Sequence, residues 1–132
     1  METMELPDDI RSALDEKVFV HLATLNPDGS PQVSVVWMTR SGNTVLFSTA
    51  EGRIKPRNIA NDPRVALSFS PPDDTATNIV MQGRVTKIAA DGTWLIDELA
   101  NKYLGHDSYQ FAKPGEVRVN YEIEIDRIST WG

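Results

Sequence analysis

The residues best placed to do chemistry lie in one run, Phe47-Ser48-Thr49-Ala50-Glu51-Gly52-Arg53-Ile54-Lys55-Pro56-Arg57-Asn58. It sets two hydroxyls, a glycine and three cations where a strand gives way to a helix. Helix N-termini carry unpaired N–H donors and the positive end of the backbone dipole, so this arrangement suits a phosphate. Hydroxyls supply hydrogen bonds, Arg a planar fork and Lys a compact charge. Gly52 lets the backbone approach a ligand without a Cβ in the way. The competing reading is a solvated charged surface. Arg53, Lys55, Arg57 and Arg64 cluster in a chain whose formal net charge is −6. That overall charge opposes general nucleic-acid binding and leaves room for a local anion site.

Other chemistries lack their parts. There is no cysteine, hence no disulfide, thiolate nucleophile or cysteine metal site. His21 and His106 are the two histidines and have no metal-ligand spacing, so no metal site is expected. No nucleophile elbow, Walker loop or dinucleotide-binding glycine motif occurs. Asp8/Asp9 and Asp73/Asp74 read as cap or loop pairs. A cofactor-borne reaction such as hydride transfer remains open, because it needs no protein nucleophile.

The elements that must position the basic turn follow from the patterning. The 132 residues suit one domain, 1–132, and 40% hydrophobic with 24% charged residues is ordinary for a globular protein. No apolar run approaches the ~20 residues of a membrane span. The N-terminus, Met1-Glu2-Thr3-Met4-Glu5, is too acidic for a signal peptide. A cytoplasmic location is the expectation.

Leu6, Ile10, Ala13 and Leu14 recur at helical spacing behind Asp8 and Asp9. Strands are expected over Val18 to Leu25, Gln32 to Thr39 and Val45 to Thr49, joined at Asn26-Pro27-Asp28-Gly29 and Ser41-Gly42-Asn43 as an antiparallel meander. A helix from Lys55 or Pro56 to about Asn61 stops at Asp62-Pro63. Strands follow over Val65 to Ser70 and Asn78 to Ile88, with Pro71 to Thr77 as a mobile loop. A helix is expected from Asp91 to Leu104, with Leu95, Leu99 and Tyr103 on one face and Gly105 as its stop. Val117 to Ile128 alternates as a half-buried strand. These elements predict an α+β fold, a six-stranded antiparallel barrel, closed or nearly so, with short flanking helices.

The segments Gly29 to Trp37, Val45 to Thr49, Gly52 to Ile59 and Asp62 to Leu67, in this order and spacing, resemble the pyridoxamine 5′-phosphate oxidase-like split β-barrel superfamily. Within it the chain most resembles the small deazaflavin-dependent reductases of actinobacteria, which use coenzyme F420. The resemblance covers nearly the whole chain. It implies a homodimer with a flavin-type cofactor in a groove at the subunit interface and a small-molecule substrate. Val33, Ser34, Val35, Val36 and Trp37 would lie along the ring. Ser48, Thr49, Arg53, Lys55 and Arg57 would hold the phosphate, and Asn58 would either touch the ligand or brace the turn. Gln82 and Gly83 would sit near the groove, and Tyr103, His106 and Tyr109 could reach a substrate.

The implied activity is hydride transfer between reduced F420 and a conjugated acceptor such as a quinone or enone. The alternatives are an FMN-dependent oxidoreductase and a non-catalytic flavin- or deazaflavin-binding protein. The chain lacks the long basic C-terminal substrate segment of pyridoxamine phosphate oxidase itself, which argues against vitamin B6 chemistry. The catalytic residues are not assigned by the resemblance.

Overall fold

The computed structural model describes residues 4–86 and 92–131. Its elements are α1 (Asp8–Leu14), β1 (Val20–Leu25), β2 (Pro31–Val36), β3 (Thr39–Ser41), β4 (Thr44–Ala50), α2 (Ile54–Asn61), β5 (Arg64–Phe69), β6 (Asn78–Thr86), α3 (Trp94–Leu104) and β7 (Arg118–Trp131). All strand pairs are antiparallel, in one sheet ordered β2-β1-β5-β6-β7-β4-β3. The α+β split-barrel expectation is met, with seven strands among the described residues rather than six. Positions 87 and 88 of the fifth expected strand, and Asp91 of the third expected helix, lie outside the described residues.

The extra strand corrects the meander. The run Gln32 to Thr39 is not one strand, because it breaks at Trp37-Met38. Its first part pairs with β1 (Val36 opposite Val20, Gln32 opposite Thr24) and its second with β4 (Arg40 opposite Val45). β2 and β3 are therefore the two edges of the sheet. Val36 and Thr39 are three residues apart and can be separated by no more than ~11 Å. The sheet must curl until its edges meet, leaving a seam bridged by two residues and no strand ladder.

The β6–β7 ladder changes register at Gly83. The β6–β7 register runs Gln82 to Arg127 and then Gly83 to Ile125, leaving Asp126 as a bulge. A Cβ on Gly83 would stand 2.1 Å from the Glu124 carbonyl oxygen and 3.1 Å from the Ile125 Cα. Only glycine permits the two backbones to approach this closely.

The barrel interior is filled from the five strands between the edges, with Val20, Leu22, Phe47, Leu67, Met81, Ile123 and Ile125 all at most 2% exposed, and the edge strand β2 adds only the half-buried Val36. The α1 face Ile10, Ala13 and Leu14, with Leu6 before it, joins that core. A second cluster forms outside the barrel, where Leu95, Ile96 and Leu99 of α3 pack on Leu46 of β4. Covered on both sides, β4 and the start of β7 lose the alternation of a half-buried strand: Arg118, Val119, Asn120 and Tyr121 are all buried.

Candidate functional site

The seam between the sheet edges opens into a groove lined by Val35, Val36, Trp37, Ser48, Thr49, Arg53, Lys55, Ile96, Leu99, Tyr109 and Arg118. Its volume is about 280 Å³. One end is apolar and aromatic, and the other is cationic and hydroxylic.

At the apolar end Trp37 stacks on Tyr103 with centroids 5.3 Å apart, and Tyr109 meets it edge-on at 6.3 Å. The geometry is held from behind. The Tyr103 hydroxyl accepts from the Met38 N–H at 3.2 Å and donates to the Val18 carbonyl at 2.9 Å. The Lys102 ammonium donates to the Leu14 and Met38 carbonyls, the latter at 2.6 Å. Burial pushes the Tyr103 phenol up and the Lys102 ammonium down from their ordinary pKa values. Tyr109 is anchored by its own N–H, which donates to Asp97 Oδ1 at 2.8 Å.

At the polar end β4 delivers Ser48 and Thr49, and Gly52 (φ +85°) turns the chain into α2. Arg53 stands at the N-cap and Lys55 in the first turn. The Lys55 ammonium donates to Ser34 Oγ of β2. Burial, then the neighbouring Arg53 charge, lowers its pKa. Arg53 Nη2 donates to Glu116 Oε1 at 2.9 Å. Glu116 Oε2 in turn accepts from Arg118 Nε and Nη2 at 3.1 and 2.9 Å. The Arg118 guanidinium lies 4.7 Å from the Tyr109 ring centroid, a cation–π contact. Ser48 Oγ is buried and has no hydrogen-bond partner among the described residues. A buried hydroxyl left unpaired is costly, and beside an ammonium and guanidinium donors it fits a phosphate oxygen.

The expected residues thus divide by position. Val35, Val36, Trp37, Ser48, Thr49, Arg53 and Lys55 come together around the groove. Val33 is exposed on the outer face of β2, and Ser34 meets the site through Lys55. Arg57 is exposed on α2. Asn58 is fully buried, its amide donating to Thr24 Oγ1 and Asn26 Oδ1, each at 3.0 Å, which is the bracing geometry. Gln82 and Gly83 line a different cleft, on the outer sheet face with Ala23, Leu25 and Ala66. Of the loop residues, Tyr109 reaches the groove, and His106 packs 6.4 Å from Phe111.

Sequence reasoning missed Arg118, Glu116 and Ile96. Arg118 falls on the polar phase of an alternating strand, and that face is covered by the Tyr109 ring from the loop after α3. Among the described residues no group of His, Asp and Glu could hold a metal ion. No helix there is long and apolar enough to cross a membrane.

The curled antiparallel sheet, with a seam groove ending at a basic helix N-terminus, defines a split-barrel fold. The family model described as pyridoxamine 5′-phosphate oxidase matches residues 6–132, and the chain belongs to that family. Among solved structures it is similar to an F420 reductase, with 31% identity, a TM-score of 0.79 and coverage of 94% of this chain and 98% of the other. A conserved hypothetical protein from Mycobacterium tuberculosis shares the fold at 19% identity and a TM-score of 0.75, covering 98% of this chain and 86% of that one. So does General Stress Protein 26 from Bacillus anthracis, at 20% identity and a TM-score of 0.66, with 96% and 94% covered. No curated protein is significantly similar in sequence.

Proposed function

We propose that the protein is an oxidoreductase that binds coenzyme F420 in the seam groove and passes hydride from its reduced form to a conjugated acceptor of the quinone or enone type. The observation that carries this reading is the unpaired, buried Ser48 hydroxyl beside Thr49, Arg53 and Lys55, at the end of a groove walled by apolar and aromatic side chains. The similarity to an F420 reductase over 94% of the chain favours the deazaflavin over FMN. F420 would supply the hydride chemistry, and the protein's part is to hold and shield it.

In this reading Ser48, Thr49, Arg53 and Lys55 bind the phosphate, with Arg57 reaching the tail from α2. Ser34 orients the Lys55 ammonium, and Asn58 fixes the turn from below. Val35, Val36 and Trp37 wall the ring on one side. Ile96, Leu99 and Tyr109 exclude water on the other, which strengthens every polar contact in the groove.

The reading includes a homodimer formed by chains each folded as one domain. Val33 and Val35 of β2 are 60% and 52% exposed on a sheet face that continues through Ala23 and Ala66. This face, on which His21 and Ser68 stand beside Val35, is a candidate subunit interface. Sedimentation of the purified protein tests this part, and a monomer at micromolar concentration refutes it.

The test of function is titration with F420 and with FMN, followed by anaerobic turnover with a quinone and enone panel. Oxidation of reduced F420 by one of these acceptors is expected. Tighter binding of FMN reassigns the cofactor, and tight binding without turnover makes the protein a cofactor carrier. Binding of neither sinks the proposal.

A further inference from the structure

Two arginines share one carboxylate at the polar end of the groove, and they are not equivalent. Arg118 is 4% exposed, gives two N–H groups to Glu116 Oε2 and is covered by the Tyr109 ring. Arg53 is 50% exposed and gives one N–H to Glu116 Oε1. The Glu116 side chain is itself 7% exposed. It is held next to the basic turn because the Val117 carbonyl accepts the Glu51 N–H at 2.9 Å. A buried carboxylate therefore stands at the end of the groove where the cation cluster lies.

Breaking one contact is cheap and breaking the other is not. If Arg53 leaves, Glu116 keeps its pair of hydrogen bonds to Arg118, so no buried charge is stranded. If Arg118 leaves, a buried guanidinium and a buried carboxylate are both left short of partners. Arg53 also has the solvent-side freedom to move. Its fork accepts carboxylate and phosphate oxygens alike.

We infer that Glu116 is a built-in competitor for Arg53. In the unliganded protein it occupies the Arg53 guanidinium, and a phosphate or diphosphate group entering the groove takes that arm over. Arg118 stays behind as the fixed counter-charge that makes the exchange possible. Glu116 is a positioning residue that sets how tightly the groove holds an anion. The inference rests on the proposed phosphate end of the groove and adds the means by which its affinity is kept moderate.

The test measures inorganic pyrophosphate affinity by NMR titration for the parent protein, Glu116→Gln and Glu116→Asp. Glutamine removes the charge at constant size. Aspartate keeps a counter-charge for Arg118 but is one methylene too short to serve both arginines, so it carries the test if the glutamine variant fails to fold. Both variants should bind pyrophosphate about threefold or more tightly, as removing an ion pair of this exposure and a like charge predicts. Arg53→Ala should also weaken binding more in the variant background than in the parent. General damage to the site weakens binding and cannot produce these gains.

Unchanged or weaker binding in the folded variants, equal Arg53→Ala effects in both backgrounds, or no pyrophosphate binding to the parent overturns the inference. F420 and FMN are titrated in parallel. If pyrophosphate binding tightens while neither cofactor binds the parent, the exchange stands and the cofactor reading fails.

Discussion

Replacing Gly83 by alanine gives the most quantitative test of how the barrel is bent. The new Cβ would lie 2.1 Å from the Glu124 carbonyl oxygen and 2.9 Å from its carbon. Normal contact is about 3.3 Å, so the overlap exceeds ~1 Å. The obstruction is backbone, and no rotamer change can relieve it. Either β7 moves away from β6 or the bulge at Asp126 shifts register. Overpacking of this kind costs about 1–3 kcal/mol, and a lost ladder hydrogen bond adds about 1 kcal/mol. The expected destabilisation is therefore about 3 kcal/mol, a large share of a typical domain's stability.

Gly29→Ala is the matched control. Gly29 has φ +86° with nothing within 4 Å of the added Cβ, so its cost is only the left-handed backbone, about 1 kcal/mol. Urea unfolding followed by tryptophan fluorescence reads both variants. With a slope near 1.5 kcal/mol/M, Gly83→Ala should lower the midpoint by about 2 M, and Gly29→Ala by less than about 1 M. If the two midpoints fall equally, close approach at the bulge is not what glycine is there for.

Three other predictions follow from the site. Asn58→Ala removes two buried hydrogen bonds and should cost about 2–3 kcal/mol in urea, while cofactor affinity corrected for the folded fraction changes little; a large affinity loss in the folded protein would make Asn58 a ligand contact. Lys55→Met should weaken cofactor binding about 10- to 100-fold. Because the Lys55 pKa lies below its usual value, parent affinity should fall as pH rises through that lowered value, and Lys55→Met should flatten the profile. The Arg64 guanidinium holds the Asp62 carboxyl down at about 2. A depressed carboxyl pKa favours the folded state above the unfolded value near 3.9, and that contribution fades as pH falls toward 2. Arg64→Ala should raise the Asp62 pKa measured by NMR toward the ordinary range, and no change would show that Arg64 is not its cause.

What could be read in the sequence was local. The basic turn needs Gly52 for its backbone, Pro56 in the first helical turn and hydroxyls at a strand end, and all of these sit within a dozen neighbouring positions. The break at Trp37-Met38 carries no glycine, proline or turn residue. It is imposed by closure of a sheet in which the two halves of the run pair with different strands, Val36 with Val20 of β1 and Arg40 with Val45 of β4. Lys55 and Asn58 look interchangeable as polar residues of one short helix, but one turn of α2 separates the groove from the barrel end. Arg118 was hidden because period-two alternation reports one covered face, and the Tyr109 loop after α3 covers the second.

The ties from α3 to the seam fasten the aromatic wall of the groove to the barrel. Lys102 and Tyr103 reach carbonyls of Leu14, Val18 and Met38, partners 64 to 88 positions away in the chain. Contacts of such long sequence separation close large loops, as the β4–β7 ladder also does. They also join segments with no strand ladder between them, and local opening there is expected at lower free energy than in the sheet. Amide exchange at Met38, whose N–H rests on the Tyr103 hydroxyl, thereby reports the population of chains able to take a ligand. A ligand bridging both walls stabilises that sub-state selectively, and slows exchange there before it raises the melting temperature of the whole barrel.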